Sequence, residues 1–368
     1  MTTRAVGRAI PPHLSLYLDL VRFAAALFVV LYHTWSLTFP DRPFKWPGHE
    51  AVVVFFVLSG YVIAHAATAP GMTFGLYLQH RIARIVPVAW TALLLALAAC
   101  LLWPGLPGAE SLGWGTLSNA LFIAQSGPFA VAAPLNPPFW SLNYEVWYYA
   151  IFGAWLFAPA RWRVALVLAA CLLAGPKILL LLPVWLLGVL LYRRMPAWKP
   201  ALAWTCLLAS VAIGVLMTWL DVSDVLRAHL YALVPFAWRA HYSTQFLYDN
   251  LLGLVVAMHF AAVSSLGWLP RLVERAARPI RWLAGCTFTL YVFHGPLLVL
   301  IRDVAGIAAP LPFYAAMALG VLVAAELTER RVKWYRGRIA ALQGRWRRPR
   351  APAIAAADVT DPDVPQQH

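Results

Sequence analysis

LDLVRFAAALFVVLYH, residues 18–33, decides the fold class. It lies within an apolar stretch, 15–38, long enough for a helix to cross a membrane core, which takes roughly 17–25 residues. Working outward, comparable stretches lie at 51–67, 85–103, 139–158, 164–175, 177–192, 201–220, 245–262, 282–301 and 312–328. The reading is an all-α, polytopic integral membrane protein of about ten transmembrane helices. The fifth stretch is too short to cross unaided, and Gly175-Pro176 separates it from the sixth. Composition agrees. Of 368 residues, 62% are hydrophobic and 12% charged, with mean hydropathy +0.69. Ordinary soluble domains carry about twice that charged fraction. A soluble enzyme, a disordered protein and a nucleic-acid-binding domain are thereby excluded, despite a formal charge of +14.

The charge becomes informative once divided by location. With the N-terminus inside, 22 of the 29 basic residues fall on the cytoplasmic side, from Arg4 and Arg8 to Arg348 and Arg350. Six lie opposite (Arg42, Lys45, Lys177, Arg227, Arg239 and Arg302), and Arg22 lies inside the first span. The positive-inside bias therefore predicts cytoplasmic N- and C-termini and an even number of spans. Three regions are expected: a cytoplasmic segment 1–14, a membrane domain 15–335, and a basic then disordered tail 336–368. The first apolar segment is long and ends without a small-residue cleavage site, so no cleavable signal peptide is expected. Outside the spans, 104–138 is the longest stretch, and its segment 116–125 is apolar enough to dip into the membrane. Cys100, Cys171, Cys206 and Cys286 all lie in apolar spans without metal-ligand spacing, so neither disulfides nor a metal site is expected.

Ionisable residues at membrane depth are costly and therefore mark candidate sites. Arg22 and His33 are eleven residues apart, about 1100° at ~100° per residue, which puts both on one helix face about 16.5 Å apart. Asp19, three residues before Arg22, can pair with it. That face presents a cation at the cytoplasmic mouth and a proton-accepting imidazole deep inside; a snorkelling arginine and a hydrogen-bonded core histidine are the alternatives. Before the third span, Arg81 and Arg84 are spaced i, i+3 and suit phosphate oxygens, or they are ordinary positive-inside charge. In NPPFWSLNYEVWYY (136–149), Ser141 and Glu145 are spaced i, i+4 at the outer end of the fourth span. The surrounding Trp140, Tyr144, Trp147, Tyr148 and Tyr149 read mostly as an interfacial aromatic belt, though sugar rings also stack on such faces. Ser59 in FFVLSG and Tyr291 with His294 in TLYVFH are further candidates. His65, His80, His229, His241 and His259 read as peripheral or unpartnered, and Glu326 and Glu329 are expected to meet inner-face arginines.

Taken together, these motifs resemble the acyltransferase-3 family of membrane O-acyltransferases. Arg22 and His33 match the family's basic residue followed by histidine eleven positions on. FFVLSG (55–60), the RxxR of Arg81 and Arg84, WSLNYE (140–145) and TLYVFH (289–294) follow in the family's order, covering about 14–335. ERRVKW, from Glu329, lacks the proline of the family's closing Glu-x-Pro pattern. The resemblance implies transfer of an acyl group, usually acetyl, from cytoplasmic acyl-CoA across the membrane to a hydroxyl of a carbohydrate or lipid-linked glycan. On that basis Arg22, Arg81 and Arg84 are expected to hold the CoA phosphates, with His33 as general base or acyl carrier. Glu145 is expected to orient His33 or the acceptor, and Asp19, Ser59, Trp140, Ser141, Tyr291 and His294 to act as substrate-binding or supporting residues.

The expected co-substrate is acetyl-CoA, with no metal. Expected partners are the glycan acceptor, membrane lipids and, as a homodimer, a second copy of the chain, with no nucleic acid; the expected location is a bacterial inner membrane. A transporter or flippase of a glycolipid or anionic solute is the competing reading, favoured by buried ionisable groups and the broken fifth and sixth spans.

Overall fold

The computed structural model describes residues 9–42, 44–106, 112–234 and 236–347, with only the backbone of Pro270 and 343–347. Arg4, Arg8, Arg348, Arg350 and the expected disordered tail lie outside the described residues. Each of the ten anticipated stretches coincides with a helix. In chain order these are α1 (Pro12–Thr38), α2 (Gly48–Ala67), α3 (Phe74–Leu102), the short α4 (Leu112–Ala120), α5 (Trp140–Phe157), α6 (Ala160–Ala174), α7 (Pro176–Arg193) and α8 (Pro200–Trp219). There follow α9 (Val222–Leu233), α10 (Phe246–Ser265), α11 (Ala277–Ala284), α12 (Thr287–Val299), α13 (Pro310–Leu327) and α14 (Val332–Arg347). Among the described residues, eight helices are long and apolar enough to cross a membrane by length and composition. α5 and α6 supply the other two stretches. α6 has 15 residues, and α5 has 18 but carries Ser141, Asn143 and Glu145 in its first turns.

Local chemistry places the breaks. α1, α7, α8 and α13 start with proline in the first turn, where the missing N–H costs no hydrogen bond. Thr73 caps α3 by accepting the Leu76 N–H at 3.3 Å. Between α6 and α7, Gly175 adopts φ +83°, and its Cα faces Gly127, whose N–H donates to the Ala174 carbonyl at 3.1 Å. A side chain there would be strained by that φ and would strike the Gly127 backbone.

Among the eight candidate spans α2 is the most enclosed, packed against α1, α7 and α10. Its contact with α7 is backbone on backbone: a Cβ on Gly60 would lie 1.9 Å from the Trp185 carbonyl oxygen, and one on Gly188 2.0 Å from that of Val57. Small residues permit this approach where lipid offers no hydrophobic drive for helices to associate. α8 and α6 bury few residues, leaving leucines such as Leu172 and Leu208 outward as a lipid-facing surface requires. One end of the bundle gathers Arg22, Arg84, Ala284 and Glu329. At the other, Lys45 meets Asp221 at 2.8 Å, a hydrogen bond that raises the Lys45 ammonium above its usual range.

The segment expected to dip into the membrane ends a short helix and turns back into the protein. α4 stops at Ala120, whose carbonyl accepts the Trp90 indole N–H at 3.0 Å, and Phe122 accepts that of Trp147 at 3.1 Å. The chain then folds back through buried Gln125 and Asn136, and α5 starts inside the protein. This corrects the reading of the aromatic residues in 140–149 as mostly an interfacial belt. Ser141 meets Tyr291, one turn into α12, and Tyr144 and Tyr148 are fully buried against Phe56. The aromatic residues are therefore mostly core rather than belt, because a re-entrant stretch carries the start of α5 below the surface.

Candidate active site

Two clusters are built on α1, α3, α5 and α12. The first is cationic. Arg22 pairs with Asp19 at 3.1 Å and donates to the Ala284 carbonyl at 3.3 Å. Arg84 stands 3.7 Å from Glu329, whose other carboxylate oxygen accepts the Thr289 N–H at 2.9 Å and its hydroxyl at 3.1 Å. Arg22 is within electrostatic range of both Arg84 and Glu329. Arg81 lies with its guanidinium 5.7 Å from the centre of the Tyr149 ring. The Nε–H groups of Arg22 and Arg81 are buried without hydrogen-bond partners. Guanidinium groups held close with spare donors form a site complementary to an anion with several oxygens.

The second cluster lies further along the same face of α1. His33 Nδ1 bonds the Val29 carbonyl at 2.8 Å. A carbonyl has no proton to give, so Nδ1 carries the hydrogen and Nε2 of the neutral ring keeps a free lone pair. The His294 ring of α12 stands 5.1 Å away between centroids. His294 Nδ1 likewise bonds the Tyr291 carbonyl at 2.7 Å, and its buried Nε2 has no partner. The Tyr291 hydroxyl meets the Ser141 hydroxyl at 2.6 Å. Two imidazoles thus present the same basic nitrogen side by side, each tautomer fixed by a backbone carbonyl.

Glu145 does not orient His33 here. Its carboxylate accepts hydrogen bonds from the Ser59 and Tyr149 hydroxyls, and the Trp185 indole N–H donates to Ser59 at 3.1 Å. Through Tyr149 this carboxylate is tied to Arg81 instead, and Ser141, one turn earlier on α5, provides the link to Tyr291 and His294. Trp140 stacks on Tyr242, ring centres 5.1 Å apart and nearly parallel, away from both clusters.

Glu329 meets an arginine as expected: it is 8% exposed and anchors Arg84 and the start of α12, so the absence of the family's proline did not remove the carboxylate from the cluster. Two features escaped the sequence reading. His259, read as unpartnered, bonds Tyr17 at 2.7 Å and Ser210 at 3.0 Å. His49 pairs with buried Asp249 at 2.6 Å, beside Glu50, which accepts the Tyr248 hydroxyl at 3.0 Å. These pairings are long-range, and no local spacing marks them.

The family profile described as an acyltransferase domain matches residues 15–329, which contain both clusters. The chain belongs to the acyltransferase-3 family. Among curated relatives, it is 32% identical over 123 residues to the exopolysaccharide production protein ExoZ of Rhizobium meliloti (strain 1021), which covers 33% of this chain and 38% of that protein. It is also 32% identical over 179 residues to protein 2 in the picA locus of Rhizobium radiobacter, covering 43% of this chain and 91% of that protein. The match therefore spans well under half the length of ExoZ. No solved structure matches. The acyltransferase-3 profile ends at Glu329, so α14 lies beyond it.

Proposed function

We propose that this acyltransferase moves an acyl group, acetyl in the first instance, from acyl-CoA at the basic end of the bundle to a hydroxyl of a glycan or glycolipid. Its place would be a bacterial inner membrane, with both termini cytoplasmic as the charge bias suggests. The observation that carries the reading is the α1 face itself. Arg22 among the arginines and His33 with its free Nε2 stand on one line, one at the mouth and the other deep in the bundle. The similarity to ExoZ, named as an exopolysaccharide production protein, favours a polysaccharide acceptor.

In the proposed step, Arg22, Arg81 and Arg84 hold the phosphates and the pantetheine arm extends toward His33. His33 Nε2 takes the proton of the acceptor hydroxyl as its oxygen attacks the thioester carbonyl. The tetrahedral intermediate collapses with cleavage of the carbon–sulfur bond, and the imidazolium returns the proton to the departing thiolate. Ester and free CoA leave, and His33 is neutral again. Formation of an acyl-imidazole on the same nitrogen would use the same geometry in two steps. In this reading Ser59, Glu145 and Tyr149 would line the route between the two clusters, and Ser141, Tyr291 and His294 support the His33 imidazole.

Two measurements test this reading. Purified protein in detergent should be thermally stabilised by micromolar CoA, and surface glycans of cells lacking the gene should lose ester-linked acyl groups by mass spectrometry. A protein indifferent to CoA, in cells with unchanged glycans, would overturn it. Within the same assay, Arg81→Ala should raise KM for the acyl donor about tenfold with a smaller change in kcat, since a phosphate contact serves ground state and transition state alike.

A further inference from the structure

α14 runs across the boundary expected at residue 335 and packs on α3, the helix that carries Arg81 and Arg84. The Gln79 side chain donates to the Arg336 backbone carbonyl at 2.7 Å, fixing α14 two residues before Arg81. That bond leaves the Arg336 side chain half-buried, within electrostatic range of Arg81 and Arg84, with His80 also nearby. Its Nε–H is buried and has no hydrogen-bond partner, as is that of Arg81. Among the described residues, the carboxylate that pairs with this group is Glu329, which is already shared between Arg84 and Thr289. Three guanidinium groups drawn together with spare donors and one committed carboxylate repel one another unless an anion joins them.

We propose that Arg336, with Arg81, binds the terminal phosphomonoester of the acyl donor, making α14 part of the donor site although it lies outside the family profile. The proposal rests on acyl-CoA being the donor. The choice of phosphate follows from connectivity. In CoA the pantetheine arm hangs from the diphosphate, so the diphosphate belongs where the arm enters the α1 face, at Arg22 and Arg84. The ribose 3′-phosphate is a terminal group off that line. Arg81 and Arg336 are likewise off it: one lies over Tyr149 of α5, and the other arrives on α14. A dianionic monoester takes bidentate contacts from two guanidiniums, and both arginines keep a free Nε–H.

The test is affinity of the full-length protein for CoA and for dephospho-CoA, which lacks only the 3′-phosphate. Wild type should bind CoA about tenfold tighter than dephospho-CoA, the size of one charge-assisted hydrogen bond. Arg336→Ala should lose about tenfold for CoA, leave dephospho-CoA binding unchanged, and melt without ligand no lower than wild type. Arg336→Lys should recover part of the loss, as a point charge without the fork. Equal weakening of both ligands by Arg336→Ala, or no weakening of either, overturns the proposal while leaving CoA as donor. Equal wild-type affinity for the two ligands overturns it without any variant. Wild type that binds neither overturns the donor reading and this proposal with it.

Discussion

His33→Ala is expected to lower turnover with acetyl-CoA by about 10²–10⁴-fold, the range of a positioned general base, while CoA binding stays close to wild type. The separation of effects follows from geometry. His33 lies about 16.5 Å along α1 from Arg22, so the proposed phosphate contacts should survive when the imidazole is removed. The fold should survive as well. His33 is only partly buried, and its one polar contact within the structure is to the carbonyl of its own helix at Val29. His33→Gln is the informative companion, because it keeps bulk and a hydrogen-bond donor but no basic nitrogen. It should be as inactive as His33→Ala. Steady-state kinetics with labelled acetyl-CoA, alongside thermal stabilisation by CoA, measures both effects. Near-wild-type turnover in either variant would remove His33 from the chemistry and leave His294, whose Nε2 is also free, as the base.

Much of this site is legible in α1, because a single helix carries its own ruler. The spacing of Arg22 and His33 fixes a common face before any packing is known, and the structure sets that face against α11 and α12 through Ala284 and His294. The Asp19–Arg22 pair is legible for the same reason. Burial was not. WSLNYE looks interfacial because aromatic residues and a glutamate are what a water boundary prefers. Its enclosure depends on the chain between α4 and α5 turning back through the interior, held by contacts such as the Asn136 side-chain amide to the Val292 carbonyl at 2.8 Å. Those contacts join residues far apart in sequence. Of the partners of Glu145, Tyr149 is one turn on along the same helix, whereas Ser59 was illegible for the same reason: it lies on another helix, 86 residues away.

The unequal fates of Glu145 and Glu329 bear on how the clusters divide their work. Both are carboxylates near arginines, yet Glu329 touches Arg84 directly, whereas Glu145 reaches Arg81 only through the Tyr149 ring and hydroxyl. Glu329 thus offsets charge within the arginine cluster and secures the first turn of α12, while Glu145 organises hydroxyls beside Arg81. Hydroxyl groups aligned by a carboxylate suit a polar arm or an acceptor better than a phosphate, which the same negative charge would repel.

Gly188→Val is expected to abolish recovery of folded protein, and Gly188→Ala to leave it markedly destabilised. A Cβ at Gly188 would lie 2.0 Å from the Val57 carbonyl oxygen and 2.7 Å from the Tyr61 nitrogen, both backbone atoms of α2. No rotamer change relieves such a contact, so the helices must separate. Overpacking that side chains can absorb costs about 1–3 kcal/mol; moving two backbones apart costs more, against a total stability of about 5–15 kcal/mol. The damage reaches the site, because Trp185, one turn before Gly188 on α7, donates to Ser59, the neighbour of Gly60 on α2. Parting α2 from α7 therefore pulls the indole from Ser59 and loosens the hydroxyls around Glu145. Gly214→Ala in α8 supplies the contrast: nothing lies within 4 Å of a Cβ there, and replacing a helical glycine should be neutral or stabilise by up to about 1 kcal/mol. Size-exclusion profiles and melting temperatures in detergent distinguish the two positions. A Gly188→Val protein that is monodisperse and melts with wild type would mean that α2 and α7 do not meet backbone to backbone.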